Sequence, residues 1–155
     1  MKLRPHHFMC IQMFTGHGYN AEFTSHMEQK IEMLSDETAI FVQEGCDEIC
    51  EKCPNREQNT CRDFAKVRRL DDDVKNACGI SYSDKIMWMD ISSTVRERIL
   101  NTELFERICH DCEWHDLCND TLERNITEEQ LKEYYCFRGD FPRFSGRQDN
   151  ICSKI

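Results

Sequence analysis

Residues 45–61, GCDEICEKCPNREQNTC, place four cysteines in seventeen positions. Thiols this dense can make a disulfide knot, a metal or cluster site, a redox pair or a set of small buried hydrophobes, and each implies a different fold. The rest of the chain decides among them. The N-terminus, MKLRPHHFMCIQMFTGHGYN, follows its basic start with no long apolar run and does not read as a signal peptide. No window approaches a membrane span, and mean hydropathy is −0.69. These features point to a reducing cytoplasm, where clustered cysteines hold metal or do redox chemistry more often than they pair as disulfides. The total of eleven cysteines is odd, so an all-disulfide scheme would leave one thiol over.

A chain of 155 residues suits one domain. Its net charge of −9, from 29 acidic and 20 basic residues, disfavours nucleic acid, because affinity for a phosphate backbone comes mostly from a basic footprint. It suits a basic partner protein instead, a redox partner if the thiols hold a cluster.

Hydrophobic spacing makes most of the chain helical. Residues 4–14 carry Phe8, Ile11 and Phe14 and tolerate Pro5 in a first turn. Asn20 is placed to cap a helix presenting Phe23, Met27, Ile31 and Leu34 on one face. Residues 38–43, TAIFVQ, are β-branched, aromatic and too short for a helix, so they read as a buried strand. Residues 61–78 repeat apolar positions at helical spacing, and Gly79 is placed to end that helix. Ser83 or Asp84 would cap a helix through Met87, Ile91, Val95 and Ile99, followed by a shorter one through Leu104, Phe105 and Ile108. Thr127, Glu128, Glu129 and Gln130 have the residue types of a capping box opening a last helix to about Tyr135. The expected fold is predominantly α, a small α+β single domain with cysteine-rich metal- or cluster-binding loops. Residues 1–118 form its cysteine-rich part, and residues 119–155 a C-terminal helix and tail packed on it.

The first cysteine group is Cys46, Cys50, Cys53 and Cys61, spaced C-x3-C-x2-C-x7-C. The second is Cys109, Cys112 and Cys118 in ICHDCEWHDLC, spaced C-x2-C-x5-C, with His115 inside it. Two thiolates separated by two residues can face one metal from a tight turn, in zinc knuckles and iron–sulfur loops alike. Loops rich in Asp, Glu, Asn and Lys are poor places for inert core thiols, so both groups read as ligands. Cys78, Cys136 and Cys152 stand alone and read as core or incidental thiols. The C-x3-C-x2-C triplet also matches radical S-adenosylmethionine enzymes, but Lys52 stands where those carry an aromatic, and a chain this short cannot supply their barrel. In RPHHFMC, His6 or His7 shares a helical face with Cys10 and could supply a ligand missing from either group. His17 and His26 read as structural or exposed, and Arg4 as a candidate to orient a carboxylate.

The three blocks LRPHHFMCIQMFTGHGYNAEF, CDEICEKCPN followed by Cys61, and ICHDCEWHDLC resemble a family of short prokaryotic proteins with a domain of unknown function, described as predicted iron–sulfur binding. The resemblance covers roughly residues 2–118. It implies that His6, His7, Cys10, Cys50, Cys53, Pro54, Cys61, Cys109, Cys112, Trp114 and Cys118 belong to the family pattern. Members often carry a glycine-containing insertion before the last cysteine and a tyrosine where this chain has His115.

Three functions follow. The leading one is an iron–sulfur protein in electron transfer or redox sensing, with a 4Fe-4S cluster on Cys46, Cys50, Cys53 and Cys61 and a second group of Cys109, Cys112 and Cys118 plus Cys10. The alternative is a zinc-stabilised protein-interaction module, with Zn2+ clamping loops onto a modest helical core. The third is a metalloenzyme with an open metal position served by His6 or His7. The chain has no Ser-His-Asp grouping, phosphate-binding glycine loop or H-E-x-x-H to name a substrate.

Overall fold

The computed structural model describes residues 1–124. The expected capping box and helix at 127–135, the tail, Cys136 and Cys152 lie outside them. The chain opens with β1 (Lys2–Leu3), turns through Arg4 and Pro5, and enters α1 (His7–Met13). Then come α2 (Ala21–Glu32) and β2 (Ala39–Val42). The cysteine loop follows, with a 3-10 turn (Ile49–Lys52) and the ribbon β3 (Arg56–Glu57) and β4 (Thr60–Cys61). Next are α3 (Phe64–Cys78), β5 (Lys85–Met87), α4 (Trp88–Val95), a π-helical turn (Arg96–Leu100) and α5 (Leu104–Cys109). Residues 115–124 are again helical. The predominantly helical single domain with a small mixed sheet agrees with the sequence. No described helix is long and apolar enough to cross a membrane.

Local chemistry explains the boundaries. Asn20 caps α2, its side-chain oxygen accepting the Phe23 N–H at 2.8 Å. Gly79 ends α3 in the left-handed conformation, φ 68°, which a side chain would strain. The helix expected to start at Ser83 or Asp84 begins only at Trp88. Asp84 instead accepts the Ser81 N–H at 2.7 Å and closes a turn, with Ser83 at φ 71°. Lys85–Met87 then runs extended against β2. The reason lies across the sheet: β2 needs a second neighbour, and Val42 exchanges backbone bonds with Asp84 and Ser83 at 2.9 and 2.8 Å.

The sheet order is β1-β2-β5, parallel on one side of β2 and antiparallel on the other. Ile40 and Val42 face the core, and Phe41 faces out. Phe8, Leu3, Ile49, Val74, Ile91 and Ile99 are fully buried in the same core cluster as Ile40 and Val42. One consequence matters for the site. The β1 pairing carries Arg4, His6 and His7 beside the cysteine loop, and α3 crosses behind them with Asp71 pointing inward.

Candidate metal centre

Two buried carboxylates organise the N-terminal turn. Asp71, at mid-α3 and 2 % exposed, takes the Arg4 guanidinium on one oxygen, from Nε at 3.0 Å and Nη2 at 2.6 Å. Its other oxygen accepts the His6 N–H at 3.1 Å and lies 2.7 Å from His6 Nδ1. Burial alone would raise the Asp71 pKa, but hydrogen bonds and charge from His6 and Arg4 outweigh it and hold the group down at about 2. Asp71 is therefore an anion and can only accept, so His6 Nδ1 is the donor. Burial first, and then repulsion from His7, lowers the His6 pKa to about 4 and leaves a neutral ring at physiological pH.

Asp47, inside the cysteine loop, plays the matching part for His7. Its Oδ2 accepts the Arg4 N–H at 2.7 Å and lies 2.6 Å from His7 Nδ1. Its Oδ1 accepts the Ile49 and Cys50 N–H groups at 3.0 and 3.1 Å, an arrangement that shapes the 3-10 turn. Burial opposes its ionisation, yet His7 and these backbone donors hold its pKa below the usual carboxylate range. The two imidazoles sit edge to face with ring centres 4.3 Å apart. Each ring has Nδ1 tied to a carboxylate, which fixes its orientation.

His7, Asp47 and Cys50 each offer a ligand atom within 4.8 Å of the others. The Cys50 thiol is buried, and its pKa is raised well above the ordinary range by desolvation and the charge of Asp47. A nitrogen, an oxygen and a sulfur donor suit a mononuclear ion of borderline softness, zinc being the commonest in proteins. This grouping corrects the expected cofactor. A 4Fe-4S cluster is held by four cysteine thiolates, whereas the grouping formed among the described residues contains one thiol beside a histidine and an aspartate. The iron–sulfur assignment is overturned, and the electron-transfer reading that rested on it falls too.

The remaining candidates are distributed around one cavity of about 420 Å³. His6, His7, Cys10, Cys50, Cys53, Cys61, Cys109, Cys112, His115 and Cys118 all line it, so the fold brings both cysteine groups and the N-terminal segment to a common space. Cys46 lies nearby, its thiol felt electrostatically by Cys50 and Cys53, and Cys53 in turn feels Cys61. On the far side, burial and the neighbouring Cys112 and Cys118 thiols push Cys109 up to about 12, and burial with Cys112 pushes Cys118 up to about 11. Desolvation first, with Cys112, Cys109 and Cys118 adding, raises Cys10 as well. All nine described cysteines are free thiols. His115 stacks on Phe105 and contacts the exposed Glu106 carboxylate at 3.0 Å.

A family model described as "Protein of unknown function (DUF1284)" matches residues 18–118. The chain belongs to this family. The DUF1284 span takes in Asp47, Cys50, Asp71 and the 109–118 group, and begins after His6, His7 and Cys10. No curated protein and no solved structure matches the chain.

Asp47 and Asp71 are the functional residues that sequence reasoning missed. Asp71 opens a run of three aspartates and Asp47 is one of 29 acidic residues, and the side chains they hold, Arg4, His6 and His7, lie forty or more residues away in sequence. One signal was present: Arg4 beside two histidines in an otherwise apolar segment needs an anion to be buried at all.

Proposed function

We propose that this DUF1284 protein is a zinc-stabilised protein-interaction module, with one ion held by His7, Asp47 and Cys50. The observation that carries the reading is that these three ligand atoms lie within 4.8 Å of one another although they come from two segments about forty residues apart. Bonds of about 2 Å to nitrogen and oxygen at tetrahedral angles would set those donors roughly 3.3 Å apart. The 2.6 Å contact between His7 and Asp47 therefore has to open slightly as the ion replaces the shared proton. Cys50 gives up its thiol proton in the same event, which makes binding pH-dependent.

The gain is structural. Residues 43–63 contain only a 3-10 turn and a two-residue ribbon, so little apolar burial fixes them. Structural zinc can supply about 10 kcal/mol of apparent folding free energy in finger-type peptides, ample to pin such a loop to the N-terminal turn. With a net charge of −9, the partner that fits is a protein with a basic surface rather than nucleic acid.

The test is metal analysis of the full chain, purified without affinity-resin metal, beside the variants His7→Ala and Cys50→Ser. Each variant is expected to lose one zinc equivalent and to abolish the fall in melting temperature that a chelator causes at this site. Unchanged zinc content in both variants would overturn the assignment.

A further inference from the structure

The metal centre uses His7 and leaves its neighbour His6 without a task. We propose that the cavity of about 420 Å³ is a binding site for an uncharged aromatic or heteroaromatic molecule whose edge carries an N–H or O–H donor, with His6 Nε2 as the acceptor for that donor. The site goes beyond the zinc reading and needs no ion.

His6 is fixed from behind. Asp71 Oδ1 accepts its backbone N–H at 3.1 Å and lies 2.7 Å from Nδ1, while Asp71 Oδ2 takes the Arg4 guanidinium. That leaves Nε2. The residue is 7 % exposed, yet no described residue forms a hydrogen bond with this nitrogen. Every fully buried side-chain nitrogen and oxygen among the described residues has a partner, so Nε2 is not sealed in, and the space His6 lines is the cavity. Arg4 already balances Asp71, so a proton on Nε2 would bury a second positive charge against one carboxylate. The ring is neutral, with Nδ1 donating and Nε2 accepting. An acceptor in so confined a place selects its ligand. A molecule without a donor strips Nε2 of water and returns nothing, at the full desolvation cost.

The wall beyond His6 favours a flat ring. The Tyr19 ring lies 5.2 Å from that of Phe23 and 5.7 Å from that of Trp114, centre to centre, at interplanar angles of 57° and 69°. All three line the cavity, and they come from the loop before α2, from α2 and from the 109–118 turn. Gly18 sets the approach. A Cβ there would come within 2.6 Å of Thr24 Oγ1 and 2.8 Å of the Phe23 ring, so a larger residue would push the Tyr19 loop away. The thiols of Cys10, Cys109 and Cys118, which burial keeps protonated, add polarizable surface of the kind that makes favourable contacts with ring edges. Charge does not select an ion: Arg62 and Lys66 are matched by Asp63 and Glu113 among the lining residues. An apolar, largely aromatic wall with one placed acceptor, in a volume of this size, is the usual make-up of a small-molecule site.

The test titrates the full chain with indole and with benzofuran, which have nearly the same shape but differ in that only indole carries an N–H. Indole should bind about tenfold more tightly, the difference expected when a buried acceptor goes unpaired. Nitrogen NMR of the wild-type chain should show the His6 Nε2 resonance moving with indole and staying in place with benzofuran, a readout that needs no variant to fold. His6→Leu should keep benzofuran binding and erase the preference, whereas Tyr19→Ala should weaken both probes together. Equal affinity for the two probes, a His6 Nε2 signal that ignores indole, or no binding of either at millimolar concentration overturns the proposal. An indole preference that vanishes on chelation overturns it too, since the probe would then sit on the ion. A preference that survives chelation supports it whatever becomes of the metal centre.

Discussion

The N-terminal turn and the 109–118 turn line one cavity, yet they are held in opposite ways. Around Arg4, His6 and His7 each side chain of the turn ends on a buried carboxylate, and no fully buried side-chain nitrogen or oxygen in the described residues lacks a partner. That region is complete as a polar network before any metal arrives. The 109–118 turn relies on half-exposed cations at its rim and presents thiols that are weak partners for one another. The contrast separates a preorganised site, where metal tightens an existing arrangement, from a turn that no buried polar network fixes.

Replacing Asp71 should break this contrast most strongly. Asp71→Asn takes the paired carboxylate from an Arg4 that is only 4 % exposed, and removing one partner of a buried pair costs about 3–5 kcal/mol. Urea unfolding in the presence of chelator measures it. The pH dependence adds a second readout. A carboxylate held at about 2 against an ordinary 3.8 contributes stability that is present above the ordinary value and is lost as pH falls through that interval. Asp71→Asn should show a shallower acid limb than the wild type, the remainder coming from Asp47, whose pKa is also held down. A cost below about 1 kcal/mol would mean that the N-terminal turn is held by metal after all.

How much of this was legible in the sequence depends on range. Asn20 and Gly79 act through neighbours a few residues away, and the strand at 39–42 carries β-branched and aromatic residues of its own, so their residue types announced them. The turn at 81–84 and the short strand β5 are fixed by pairing with a strand more than forty residues earlier, and the apolar spacing of Met87, Ile91 and Val95 read as one helix. The cysteine spacings correctly flagged metal chemistry but misdirected the choice of partners. C-x2-C density suggested thiolates bonding with each other, whereas Cys50 groups with His7 and Asp47, because β1 and β2 pair in parallel and lay the N-terminal turn against the loop. Parallel pairing of segments about forty residues apart leaves no local trace.

A medium effect should come from the other region. Arg69→Met removes the bond to the Ile108 carbonyl and the ion pairs with Asp111 and Asp73, at 2.5 and 3.3 Å, while keeping the aliphatic stem. With Arg69 35 % exposed, solvent screens those ion pairs, and the loss should be about 1 kcal/mol in the metal-free chain. If the 109–118 turn is drawn together by an ion, this variant should lose more stability in the zinc-loaded chain than in the metal-free one. A loss as large as that of Asp71→Asn would show that the two turns are equally preorganised.

The smallest expected effect sharpens the same point at His115. Its pKa is raised, by the hydrogen bond to Asp116 first, with desolvation opposing and Glu106 adding to the rise. A raised folded-state value means that the imidazolium contributes stability that is fully present below the unfolded pKa and is lost as pH rises through the folded one. Both carboxylates are exposed, so the contribution is a few tenths of a kcal/mol at most. Proton NMR titration of His115 should show the upward shift, and added salt should shrink it, since exposed pairs are screened over about a Debye length. Loading the chain with zinc decides the remaining question about the residue. A ligating imidazole has to be neutral, so metal binding through His115 would drive its titration downward. If the ring takes no metal, the shift stays upward, and His115 serves only to stack on Phe105 and hold the turn at the cavity edge.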